Sequence, residues 1–148
     1  MAVCIGGEGY TLPSGFLLKE LCIMYPNNEY SHYLFKTDHC LSLTENDLRT
    51  IRYVTEKVNG LLYHDGDIPL KHLREILNRY KDNIIYTYSE LMRTTIQQHL
   101  PVTVVINVQD MGYTLPRLLP DPHCFRFHCF RYCAKSKAIA IRNFMANQ

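Results

Sequence analysis

Three apolar, β-prone runs open the chain. Ala2–Ile5 is short and Phe16–Tyr25 is long. Tyr30–Phe35 follows a Pro26-Asn27-Asn28 turn, which is the composition of a hairpin. The glycine-rich stretch at 6–9, with Pro13-Ser14-Gly15, is expected to turn the first strand into the second. After Cys40 the period becomes helical. Leu48, Ile51, Val54 and Val58 share a face, Thr44 and Asp47 form a capping arrangement, and Asn59-Gly60 ends the helix. Asp67 and Pro69 start a second helix with Leu70, Leu73, Ile76, Leu77 and Tyr80 on one face. Asn83–Tyr88 reads as a buried strand, and Ser89 caps a helix carrying Met92, Thr95, Ile96 and His99. Val102–Val108 is the run richest in β-branched residues and is expected as a strand. Ala134, Lys137, Ala138, Ile141, Phe144 and Met145 make the last helix amphipathic.

The order β-β-β-α-α-β-α-β-α predicts an α/β fold: an antiparallel three-strand meander, then alternating helices and strands, giving a mixed sheet with helices on both faces. No repeat or linker divides the chain, and 148 residues suffice for one core, so residues 1–148 are expected as a single domain. No apolar run approaches the ~20 residues of a membrane helix, and the first residues lack a signal-peptide pattern. The expectation is no membrane and a cytoplasmic or nuclear location. In those compartments the six cysteines read as thiols or metal ligands rather than disulfides.

A net charge of +2 does not by itself announce a nucleic-acid binder, but the charges are unevenly placed. No acidic residue follows Asp121, whereas Arg126, Arg131, Lys135, Lys137 and Arg142 do. These cations can face phosphates, or form a solvated helix face that complements the helix dipole. Phe125, Phe127 and Phe130 lie among the arginines, where they can stack on bases or pack as core.

The densest chemistry falls at His123, Cys124, His128, Cys129 and Cys133. Cys124, His128 and Cys133 form Cys-x3-His-x4-Cys immediately before the last helix, and thiolates with imidazole are the ligands Zn²⁺ prefers. Cys129 or His123 can complete the set locally, and Glu20 can do so from a distance. Glu20 interrupts an apolar strand, where a buried carboxylate needs a partner such as a cation. The alternative for the cluster is buried cysteines with surface histidines.

Ribonuclease H-like folds, including the DEDD 3′–5′ exonucleases, share the element order read above. Those exonucleases place an Asp-x-Glu pair on the first strand to clamp two Mg²⁺ ions. Cys4 and Gly6 stand at the equivalent positions, and neither suits Mg²⁺; Glu8 lies two residues off, within the glycine-rich stretch. With a carboxylate on the second strand and Cys, His and Cys before the last helix, the chain resembles Maelstrom domains of the piRNA pathway. These are ribonuclease H-like folds that lost the DEDD carboxylates and hold a Glu-Cys-His-Cys zinc set. The resemblance implies a structural zinc on Glu20, Cys124, His128 and Cys133. The chain is similar, too, to short transposon-associated invertebrate proteins, through Lys19-Glu20 and the Gly60–Gly66 segment with its Tyr63 and Asp65. Cys4 stands where that group opens with Asp, and Asn59 where a His is common.

Two further motifs have simpler explanations. His39-Cys40 point to opposite sides of an extended segment and lack an orienting third group. His64-Asp65-Gly66-Asp67 reads as turn and cap chemistry, with divalent-ion binding as the alternative. The expected function is therefore a zinc-stabilised, catalytically degenerate domain that binds single-stranded RNA or a protein partner. One alternative is a nuclease working through Glu8, Asp65, Asp67 and Asp110. The other is a protein-interaction module without nucleic-acid contact.

Overall fold

β-Branched and aromatic residues carry the first three strands into an antiparallel meander. In the computed structural model, which describes residues 1–37, 43–116 and 133–148, these are β1 (Ala2–Leu12), β2 (Gly15–Met24) and β3 (Tyr30–Lys36). A two-residue strand, β4 (Ile68–Pro69), runs parallel to β3. On the other side, β5 (Ile84–Thr87) pairs parallel with β1, and β6 (Val105–Asn107) pairs parallel with β5. The sheet order is β4-β3-β2-β1-β5-β6, so β1 sits where the antiparallel and parallel halves join.

Helices cover both faces, as the sequence pattern predicts. α2 (Leu73–Asn78) and α3 (Glu90–His99) bury Leu73, Ile76, Leu77, Met92 and Ile96 against Val3, Ile5, Leu21 and Ile23. α4 (Ala134–Ala146) lays Ala134, Ala138 and Ile141 over Cys4, Cys22 and Met24 on the opposite face. Farther along β1, Tyr10 and Leu12 meet Ile51 of α1 (Glu45–Val54). Local chemistry sets two helix starts. Thr44 and Asp47 bond reciprocally as a capping box, and Ser14 adds two hydrogen bonds to Asp47 that tie the β1–β2 turn to α1. Those bonds, the Thr44 N–H foremost, hold the Asp47 carboxyl below the usual range. At α3, the Ser89 hydroxyl accepts from the Met92 N–H at 3.2 Å.

Three elements differ from expectation. β1 does not stop at Ile5 but runs through the glycines to Leu12, and the chain reverses at Pro13-Ser14. The glycines serve packing instead of turning: a Cβ on Gly6 would lie 2.1 Å from the Ala134 carbonyl oxygen, and one on Gly7 2.4 Å from Met92 Cε. The second helix starts at Leu73 rather than at Asp67–Pro69, because Ile68-Pro69 pair with β3 and a 3₁₀ turn, Leu70–His72, intervenes. The β-branched run Val102–Val108 supplies only three strand residues. Val102 is 94 % exposed in the turn after α3, and Asn107 opens a 3₁₀ turn by accepting from the Gln109 N–H.

A bulge between β1 and β2 re-aims one side chain. Glu8 pairs with Glu20 but Gly9 pairs with Leu18, so Lys19 is the extra residue. Its buried ammonium donates to the carbonyls of Phe35 (2.6 Å), Tyr63 (2.8 Å) and Asp65 (2.8 Å), clamping the 63–65 segment to β3.

Buried ionisable groups give stability a defined alkaline profile. Burial pushes the Tyr10 hydroxyl, which donates to the Leu61 carbonyl at 2.5 Å, up to about 12, and the Cys4 thiol up to about 11. A folded pKa above the unfolded one means stabilisation lost as pH rises between the two, here from the ordinary 9.0 of Cys4 to the 12 of Tyr10. Burial lowers Lys19 to about 8, with Asp65 opposing, so Lys19 instead adds stability between pH 8 and its ordinary 10.5. The urea midpoint is expected to rise slightly from pH 8 to 9 and to fall clearly above pH 10.5, where only the losses remain. Tyr10→Phe should blunt the fall. A midpoint that keeps rising to pH 12 would contradict this balance.

Candidate metal centre beneath the last helix

Glu20 is a fully buried carboxylate in the middle of β2. Its Oε2 lies 2.7 Å from His32 Nε2 on β3, and its Oε1 accepts the Ala134 N–H at 2.8 Å. Cys133 occupies the N-cap of α4 without a capping side-chain bond, so the sheet supplies the acceptor that this position normally provides. A negative charge at a helix N-terminus is also favoured by the dipole. Cys22, two residues beyond Glu20, faces the same side and pairs across the ladder with His32. Cys22 and Cys133 are both fully buried.

Glu20 and Cys133 are thereby brought to the same junction of sheet and helix. Cys124 and His128 lie outside the described residues, as do His123, Cys129 and the His39-Cys40 pair. Among the described residues, no three His, Cys, Asp or Glu side chains assemble a metal site by themselves. The donor chemistry still suits zinc. Glu20 is a carboxylate and Cys133 a buried thiol in the residue that caps α4, and both are groups that zinc takes as ligands. His32 is the residue that sequence reasoning missed. Strand alternation carried the signal: placing Cys22 opposite His32 sets the imidazole diagonal to Glu20.

The first-strand positions of interest are closed. The Cys4 thiol is buried, and Gly6 lies under the backbone of α4. Glu8 sits within β1, not in a turn, and its Oε2 is 2.5 Å from Lys137 Nζ, which also reaches the Gly7 carbonyl at 3.3 Å. Glu8 and Glu20 are cross-strand neighbours, an arrangement of like charges that destabilises unless each is compensated. Lys137 compensates one, while His32 and the α4 N-terminus compensate the other. The remaining carboxylates considered for catalysis are dispersed. Asp65 and Asp67 lie in the loop beside β3, and Asp110 is exposed on the 3₁₀ turn after β6.

The basic residues of α4 are mostly turned inward. Lys135 is buried with its Nζ 4.1 Å from the Tyr30 ring centre, and Lys137 pairs with Glu8. Arg142 is partly exposed and is held by the side-chain amides of Asn28 and Asn143. Arg126, Arg131, Phe125, Phe127 and Phe130 lie outside the described residues. No helix among the described residues is long and apolar enough to cross a membrane. Compared with protein families, curated proteins and solved structures, the chain matches none of them.

Proposed function

We propose that this chain is a ribonuclease H-like domain that has lost the Mg²⁺ ligands of its nuclease counterparts, is pinned by a structural zinc, and binds single-stranded RNA in the cytoplasm or nucleus. The observation that carries the reading is the state of β1: Cys4 and Gly6 stand where a two-metal nuclease needs hard oxygen donors, and α4 is laid directly on Gly6. The ladder order around it supports the fold, with β3-β2-β1 antiparallel and β5 and β6 parallel beyond. Zinc on Glu20, Cys124, His128 and Cys133 would tie the segment preceding α4 to the centre of the sheet. That arrangement gives the buried Glu20 carboxylate a cation beside its hydrogen bonds to His32 and Ala134.

A protein partner is the second reading, favoured by Leu48 and Tyr53, which leave 50 % and 62 % of their surfaces exposed on α1. One experiment separates the possibilities. Protein purified without added metal is expected to carry about one zinc per chain. It should bind a fluorescent oligouridylate in a salt-dependent manner without shortening it. Absence of zinc would remove the metal centre, RNA shortening abolished by EDTA would restore the nuclease, and no RNA binding would favour the protein partner.

A further inference from the structure

The face opposite α4 carries a groove with unusual chemistry. Phe16 and Leu17 of β2, Leu70 of the 3₁₀ turn and Leu91 of α3 form an apolar wall around a cavity of about 400 Å³. A neighbouring cavity of about 600 Å³ shares Lys71, Arg74, Gln98 and His99 with it. Both volumes fall in the range of small-molecule sites.

The four shared residues are all polar. Lys71 and Arg74 are exposed and join none of the ion pairs among the described residues. Glu75, in the wall of the second cavity, is held by His72 at 3.3 Å. His99 Nδ1 is buried and has no hydrogen-bond partner among the described residues. Burial, with Arg74 adding to it, lowers the pKa of this imidazole, so at neutral pH it is a neutral ring able to present one N–H. Two exposed cations beside a neutral imidazole that lines both cavities favour an anion as the ligand. The apolar wall suits an anion that carries a flat or apolar body.

We propose that the groove between α2 and α3 is a phosphate-binding site for a nucleotide, with Lys71, Arg74 and His99 on the phosphate and the base lying against Phe16 and Leu91. The anion chemistry stands on the groove itself; that the ligand is a nucleotide rests on the RNA-binding reading. The phosphate can belong to an RNA backbone or to a free mononucleotide, and the test distinguishes them. Oligouridylate affinity is measured against salt for the protein and for a Lys71→Gln/Arg74→Gln variant. Both positions are exposed, so the variant is expected to fold. Each phosphate contact to a single strand contributes about 0.7 to the slope of log affinity against log salt, so the variant should lose roughly 1.4. In parallel, uridine 5′-monophosphate is titrated while the His99 ring resonances are followed.

Loss of slope in the variant, with His99 shifts, supports an RNA-backbone site. Unchanged slope and affinity in the variant overturn the groove and leave RNA binding to another surface. His99 shifts with the mononucleotide, without oligouridylate binding, support the site as one for free nucleotides and sink the RNA reading. No response to either ligand overturns both.

Discussion

Replacing Lys19 with methionine is expected to lower the stability of the domain by roughly 3–5 kcal/mol, or to prevent folding. Methionine is one atom shorter but keeps most of the volume, so the loss comes mainly from polar groups rather than from a cavity. Two opposing effects decide the sign. Removing an ammonium from a fully buried position relieves its desolvation, and replacing a buried ion by an apolar residue is often neutral when its partners leave with it. Here the partners stay. The carbonyl of Phe35 remains buried and those of Tyr63 and Asp65 partly buried around an apolar tip, and each orphaned acceptor costs up to about 1–3 kcal/mol. The second effect is larger because there are three such acceptors. Urea unfolding followed by far-ultraviolet circular dichroism measures it. A loss under about 1 kcal/mol would mean that the 63–65 segment finds water or other donors, and that Lys19 does not clamp it.

What the sequence disclosed and what it concealed divide along a physical line. Local chemistry was legible. The Thr44–Asp47 capping box, the Ser89 cap and the Pro26–Asn28 hairpin depend on residues a few positions apart, and they form as the spacing indicates. The alternation of strands and helices was legible as well, since burial on two faces imposes it. Long-range packing was not. Glycine in a run reads as a turn when only the chain is considered, yet at Gly6 and Gly7 it marks strands approached closely by α4 and by Met92. The length of β6 was over-read because Val102 and Val104 carry strand propensity into exposed positions, and of the two only Val104 reaches β5, through one bond from the Ile85 N–H.

At the candidate centre, Glu20 announced itself as a charge inside an apolar run, but two of its hydrogen-bond partners could not be read. One is a backbone N–H more than a hundred residues away, at Ala134, and the other is an imidazole set by strand register. The basic character of α4 was legible in composition but misleading in direction. Two of its cations, Lys135 and Lys137, are spent on a tyrosine ring and a buried carboxylate inside the fold.

The same substitution at adjacent glycines should separate packing against backbone from packing against a flexible side chain. Gly6→Ala is expected to cost about 3–5 kcal/mol, and Gly7→Ala no more than about 1–2 kcal/mol. In a strand, alanine gains roughly 0.5–1 kcal/mol over glycine from the unfolded chain, so both figures are net of a small favourable contribution. The difference lies in what the new methyl group meets. At Gly7 it meets the end of Met92, whose three rotatable bonds let it swing away. At Gly6 it would sit 2.1 Å from the Ala134 carbonyl oxygen and 2.7 Å from the Ala138 nitrogen, both in the backbone of α4, which can move only as a unit. Lifting α4 by the ångström or more needed for ordinary contact draws the Ala134 N–H from Glu20 and the Lys137 ammonium from Glu8. That strips Glu8 of its ammonium partner and Glu20 of the α4 N-terminus, so two buried, cross-strand carboxylates lose part of their compensation. Thermal unfolding of the two variants, with zinc content measured on each, reads the consequence. Gly6→Ala should unfold at a much lower temperature and lose the zinc proposed above, because Cys133 moves with the helix. Equal stability of the two variants would mean that α4 does not rest on Gly6, and the metal centre would then lose the helix that holds Cys133 against the sheet.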